Sequence, residues 1–283
     1  FHPLMSALTL TLKDPPDQRI NMSPLVPHRL QGKSVEEIRN IRLAGSRQDL
    51  TVGKLFNVSG EQTEHIRMLH GSPMLDAIGS EMTQGLIEVK GGAGDCLGLG
   101  MRGGEIRVDG GVRRWAASGM KGGRIHIMGD AGDFLGGALP ASPMGMEDGM
   151  VVVSGNAGDR IGDRMRRGIL VVEGNAGDYC GSRLLAGTII ILGQAGVAAG
   201  FAMKRGSIIL AAPPTRIAST FNSCGHLKME FLRVLFRHLN RSQRRFEAFN
   251  AFGPEAERYA GDLAYGGKGE ILILDNALAG TDS

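Results

Sequence analysis

Seven short apolar runs recur along this chain at a nearly fixed spacing, and that regularity restricts it to architectures assembled from stacked units. The runs are Leu86-Ile-Glu-Val, Glu105-Ile-Arg-Val, Arg124-Ile-His-Ile, Met150-Val-Val-Val, Ile169-Leu-Val-Val, Thr188-Ile-Ile-Ile and Ser207-Ile-Ile-Leu. Their starts lie 19, 19, 26, 19, 19 and 19 residues apart. The long step carries an insertion near Ala138 to Met144 with two prolines, and a degenerate earlier unit runs from His65 to Gly85.

Counted from the first strand residue, positions 2 and 4 of every unit are Ile, Val or Leu, the alternation of a strand with one face inward. Position 6 is glycine in every complete unit, Gly174 among them, and small or turn-forming residues follow, as in Asn156-Ala-Gly-Asp. Position 16 is mostly Met, and position 19 is again glycine. No helix of ordinary length fits between these glycines, so a βαβ arrangement is not expected. One turn of chain per unit, each stacked on the last, accounts for the pattern. The expected fold is all-β: a right-handed parallel β-helix of 19-residue repeats with an N-terminal arm and a C-terminal helix. The 44 glycines and only 5% aromatic residues suit such a stack of aliphatic ladders.

The expected divisions are an N-terminal arm or cap over residues 1–54, the β-helix over 55–212, and a C-terminal helix and tail over 213–283. In the arm, Ser34 with Glu37 forms a capping box for a short helix reaching Asn40. After the stop Ala211-Ala-Pro-Pro, the spacing predicts a helix from His226 to Phe246. Its apolar stripe is Leu227, Phe231, Leu235 and Leu239, widened by Met229, Leu232 and Phe236. Position 3 of the strands points outward. It is polar in the first coils (Glu88, Arg107, His126) and apolar in the later ones (Val152, Val171, Ile190, Ile209). The later strip requires a cover, for which this helix is the first choice and a partner protein the second.

A net charge of +3 argues against strong nucleic-acid binding, and no apolar run reaches the roughly 18 residues of a membrane span. Phe1 to Leu10 lacks the basic start and long apolar stretch of a signal peptide, with Met5 as an alternative start. Cys96, Cys180 and Cys224 fit no metal spacing. Four coils separate the first two, about 19 Å at a strand spacing of about 4.8 Å, too far for a disulfide. Reduced thiols in a cytoplasmic protein are expected.

No nucleophile–base set and no metal-ligand spacing is present, so neither a catalytic nor a metal site is assigned. The position-10 aspartates Asp95, Asp133, Asp159 and Asp178 are expected to cap the backbone of their own turns. The tail from Gly261 to Glu270 fails the phosphate-loop pattern and is expected to turn tightly into a strand over Ile271 to Leu274. The stronger signal is basic. Arg102, Lys121, Arg166 and Lys204 occupy position 17, interrupted by Glu147 and Leu185, and position 18 adds Arg167 and Arg205. The row is either a solvated face or a surface for a polyanion or an acidic partner.

The units, and the tail Arg258-Tyr-Ala-Gly-Asp-Leu-Ala-Tyr-Gly-Gly-Lys-Gly-Glu-Ile, resemble the C subunits of formylmethanofuran dehydrogenases. More narrowly, they resemble the C subunit of the bacterial formyltransferase/hydrolase complex. The repeat alone is shared with the C-terminal β-helix domain of glutamate synthase. Eight lysines against 24 arginines, and no cysteine motif for electron transfer, favour the bacterial relative over an archaeal-type dehydrogenase component. The resemblance implies a structural component beside the A, B and D subunits, with the catalytic centres in those partners. Their reaction moves a formyl group from formyl-tetrahydromethanopterin to a methanofuran analogue and releases formate. No cofactor is expected on this chain, and a glutamate-bearing carrier tail is the expected ligand if the basic row is a site.

Overall fold

A computed structural model describes residues 6–44, 50–242 and 252–276 of the protein. The strands in chain order are β1 (Ala7–Leu12), β2 (Ile20–Asn21), β3 (Phe56–Ser59), β4 (Gln62–Gly71), β5 (Leu75–Asp76), β6 (Leu86–Gly91), β7 (Glu105–Val108), β8 (Lys121–Ile127), β9 (Asp148–Val153), β10 (Ile169–Val172), β11 (Thr188–Ile191), β12 (Ser207–Leu210), β13 (Asn222–Lys228), β14 (Phe252–Gly261) and β15 (Gly269–Asn276). The helices are α1 (Pro27–Leu30), α2 (Val35–Arg39), α3 (Val52–Leu55) and α4 (Glu230–Ser242). Thirteen strands form one parallel-rich sheet in the order β13-β14-β15-β12-β11-β10-β9-β8-β7-β6-β4-β1-β3. The fold is β-helix-like.

From β6 to β12 each strand pairs in parallel with the next. Leu86 faces Glu105, Glu105 faces Arg124, Ile169 faces Thr188 and Thr188 faces Ser207. A second line of parallel bridges joins Ala93, Val112, Ala131, Ala157, Ala176 and Ala195, on the side of the coil beyond the glycine turn. Position-2 and position-4 side chains such as Ile87, Val151, Ile189 and Ile208 are buried in one continuous core with Met101, Met120, Met146, Met165 and Met203. Unbranched thioethers fill the irregular space between coils.

The sheet crosses the sequence positions 54 and 212. β1 lies between β4 and β3 at one end, while Leu25, Val26, Leu30 and Ile38 bury against the same core. The α2 capping box is formed: Ser34 Oγ accepts from the Glu37 amide at 3.2 Å, and the Ser34 amide donates to Glu37 Oε2 at 2.7 Å. At the other end β15 continues the stack on β12, pairing Ile208 with Ile271 and Ile209 with Leu272.

The expected C-terminal helix is corrected at its start. Residues 222–228 are a strand paired antiparallel with β14, and the helix begins at Glu230. Beyond Ser242 the expected helix lies outside the described residues. The buried stripe is also rotated: Leu232, Phe236 and Leu239 face inward, whereas Leu227 and Phe231 are exposed. That stripe covers Val152, Val171, Ile190 and Ile209, all wholly buried, in a second core shared with Leu272 and Leu274. The apolar half of the outer face is thus closed within the chain. Its polar half stays open, and there Glu88 meets His65 at 2.6 Å and Arg67 at 3.1 Å.

The glycines serve two purposes. At position 19 the backbone is left-handed, as at Gly168 (φ +95°), a conformation that side chains tolerate poorly. The turn-like sequence at position 6 suggests the same need, but at Gly174 φ is not positive. The constraint at Gly174 is space: a Cβ would lie 2.6 Å from the Gly155 carbonyl oxygen and 2.7 Å from Asn156 Oδ1.

Candidate functional site: basic row and groove

Position 17 lines up from coil to coil, so the basic residues lie on one line, interrupted by Glu147 and Leu185. The amides of Arg102, Lys121, Arg166 and Lys204 donate to the carbonyls of Met82, Met101, Met146 and Leu184 in the preceding coils, at 2.6–2.8 Å. Equivalent residues in neighbouring coils therefore stand about 4.8 Å apart along the stack. The Lys268 amide donates to the Lys204 carbonyl at 2.7 Å, so the exposed Lys268 extends the row by one coil. The spacing of the repeats does not reveal it, because the tail lacks their glycine and alanine pattern.

All six expected row residues are exposed. Their charges are not equally free. Lys121 faces Glu147 at 3.6 Å, Lys204 Nζ donates to the Tyr265 carbonyl at 2.6 Å, and Arg166 reaches Met144 Sδ at 3.8 Å. Arg102, Arg167 and Arg205 have no carboxylate within ion-pair distance among the described residues.

The aspartates act differently from expectation. Asp95 Oδ1 accepts from the Arg114 amide, Asp133 Oδ1 from Asp159, Asp159 Oδ1 from Asp178 and Asp178 Oδ1 from Val197, at 2.8–3.0 Å. Each therefore binds the equivalent amide of the following coil, not its own turn. A parallel ladder runs through Asp130, Asn156 and Asn175 at position 7. A side-chain acceptor directly beneath the next coil's amides satisfies donors that strand pairing leaves open. These carboxylates are spent on structure.

Among the described residues no cluster of three or more His, Cys, Asp or Glu side chains is placed to hold a metal ion. Burial pushes the Cys180 thiol up to about 12, and burial together with Asp95 and Asp76 also raises Cys96, so neither is poised as a thiolate at neutral pH.

The insertion builds a feature that its sequence did not reveal. Its base is tied to the next coil, the Ala138 amide donating to the Asp163 carbonyl (3.1 Å) and the Gly145 amide to the Arg164 carbonyl (3.0 Å). Arg164 Nη1 holds the Ser142 carbonyl at 2.9 Å. Beneath it, the buried Asp163 accepts from Arg183 through both oxygens, at 2.9 and 2.7 Å, and from Ser182 Oγ at 2.6 Å. Two hollows flank this point, of about 250 and 310 Å³, and Arg164 and Arg183 line both.

The GXGXG motif family matches residues 20–230 of the chain. The C subunit of the formyltransferase/hydrolase complex Fhc of Methylorubrum extorquens is 37% identical over 89 residues, which cover 31% of this chain and 34% of that protein. The C subunit of the tungsten-containing formylmethanofuran dehydrogenase 2 of Methanothermobacter thermautotrophicus is 36% identical over 92 residues, with the same coverage. The chain thus spans about a third of the length of these relatives in sequence alignment. In three dimensions the match is longer. A chain in the crystal structure of the formyltransferase/hydrolase complex (FhcABCD) from Methylorubrum extorquens in complex with methylofuran superposes with a TM-score of 0.88 at 35% identity, covering 95% of this chain and 100% of that one.

Proposed function

Because this chain belongs to the GXGXG motif family, among the C subunits of formyltransferase/hydrolase and formylmethanofuran dehydrogenase complexes, we propose that it is the structural β-helix component of such a complex, wound right-handed. The reading rests chiefly on the end-to-end likeness to a chain of the complex solved with methylofuran. In this role the chain assembles with A, B and D subunits in the cytoplasm and has no part in bond making. The partners transfer formyl from formyl-tetrahydromethanopterin to a methanofuran analogue and release formate. An archaeal-type dehydrogenase is the second reading, favoured by the similarity to the tungsten-containing relative.

Its own residues support a scaffold. The stacked aspartates Asp133, Asp159 and Asp178 are bound to backbone amides of the next coil. The purified single chain is therefore expected to show no formyl-carrier turnover, and formate release is expected only with the other subunits present. Carrier turnover by the single chain, lost on a point substitution within it, would refute the scaffold reading. Reduction of an artificial electron acceptor by the assembled complex, in place of formate release, would favour the dehydrogenase.

The row of Arg102, Lys121, Arg166, Arg167, Lys204 and Arg205 then holds the acidic tail of the carrier, with Lys268 at its end. Exposed contacts of this kind contribute only about 0.2–1 kcal/mol each, so several must act together. Replacing Arg102, Lys121, Arg166 and Arg167 by Ser is expected to raise the complex's KM for the acidic carrier about tenfold at low salt. kcat with a truncated carrier stays unchanged, and the difference shrinks as salt rises. A normally assembled quadruple variant with unaltered KM at low salt would make the row a solvated face.

A further inference from the structure

We propose that the late coils carry a docking groove for an extended acidic segment of a partner protein, anchored by apolar or aromatic side chains. The inference concerns the groove beside the insertion, which shares Lys204 with the basic row but is otherwise lined by residues outside the expected basic row.

The groove is built, because the insertion that walls it is tied to the underlying coil at Ala138, Ser142 and Gly145. It is divided into two hollows, which suits alternate side chains of an extended segment. The first is floored by Trp115 and Phe134, stacked with centroids 5.6 Å apart. The second is lined by Leu185, Ala202 and Tyr265. Beside it Phe201, 41% exposed, packs edge-on against Tyr265, 46% exposed, at 5.4 Å. Aromatic residues with arginine are the composition of protein interfaces and of the residues that dominate their affinity.

The charge selects the partner. Among the described residues, Asp163 is the one carboxylate lining the two hollows, and it is engaged by Arg183 and Ser182. Arg164 has no acidic partner among the described residues, and Lys204 is held by a carbonyl. The hollows therefore present uncompensated positive charge over apolar walls. A purely polyanionic ligand leaves those walls exposed to water, and a neutral apolar one leaves the cations without partners.

The test uses the full chain and three fluorescein-labelled peptides at low salt, read by fluorescence anisotropy: alternating glutamate and phenylalanine, alternating glutamine and phenylalanine, and oligoglutamate. The first is expected to bind at least fivefold more tightly than either control. Leu185→Asp, at a half-buried groove position, is expected to weaken it at least tenfold. Excising residues 139–145, which restores the 19-residue spacing, should abolish the preference. The Leu185 variant keeps the test decisive if the excised chain fails to fold. Equal binding of either control, no binding by any peptide, or an unaffected Leu185→Asp would overturn the groove. Equal binding of oligoglutamate would leave only a basic row, so this outcome is separable from failure of the carrier-tail reading.

Discussion

Gly174→Val is expected to lower the thermal midpoint by about 5–10 °C, corresponding to a loss of roughly 3 kcal/mol. The reason lies in the stacking. Gly174 sits directly on Gly155, whose carbonyl oxygen and carbon would lie 2.6 and 2.8 Å from any added Cβ, with Asn156 Oδ1 at 2.7 Å. Two of these atoms are backbone held by the coil's hydrogen bonds, including the one from the Gly174 amide to the Gly155 carbonyl. They cannot rotate away as a flexible side chain could. A β-branched residue adds two further methyls, so the coils carrying Gly155 and Gly174 must separate and break that contact. The neighbouring approach at Gly193, with the Gly174 oxygen 2.5 Å from a Cβ there, means that the disturbance passes upward as well. A midpoint within a degree or two of the unsubstituted protein, by calorimetry, would show that the coils do not approach so closely.

Val171→Asp is expected to dislodge α4 while leaving the interior stack folded. Val171 is on the outward face, yet it is wholly buried beneath Leu232, Phe236 and Leu239. A carboxylate there sits among Leu232, Phe236, Leu239 and Leu272 and either stays desolvated or takes up a proton, at a cost of about 3 kcal/mol or more. The interior ladder of Leu170 and Val172 faces the other way and keeps its packing. Limited proteolysis should then cut within 230–242 at protease levels that spare the original chain, while the far-ultraviolet β signal persists. Arg107→Ser changes the same strand position in an open coil, where the side chain is exposed and ion-paired, and should cost no more than about 1 kcal/mol. Equal protease resistance of α4 in the Val171 variant would contradict its role as a cover.

Much of this is legible in the residues themselves. A fixed period makes position equivalence unambiguous, so the inward ladders and the outward strip at Val152 and Val171 follow directly from spacing, and the strand at Ile271 is legible from its own apolar run after the tail's glycines. The features that spacing does not reveal depend on contacts between coils or on elements outside the period. Position 6 and position 19 are both glycine, and only coordinates show that one lacks room and the other needs a left-handed backbone. The direction of the Asp159 and Asp178 bonds is equally invisible, since a carboxylate can reach its own turn or the next. β13 and α4 share one apolar pattern: Leu227 and Phe231 continue the four-residue spacing of Leu235 and Leu239, so the break at Met229 is set by pairing with β14 rather than by local preference. Lys268 joins the basic row only because β15 docks on β12. The insertion is visible as a long step, but its groove arises from Arg164, Asp163 and the backbone ties beneath it.

The central claim, that this β-helix is a scaffold within a formyl-transferring complex, is tested most directly by purifying the tagged full chain from its native host and identifying co-eluting proteins by mass. The account predicts one assembly containing A-, B- and D-type subunits, with formate release from the formyl carrier following the assembled peak. A chain that elutes alone and turns over the carrier by itself would contradict it.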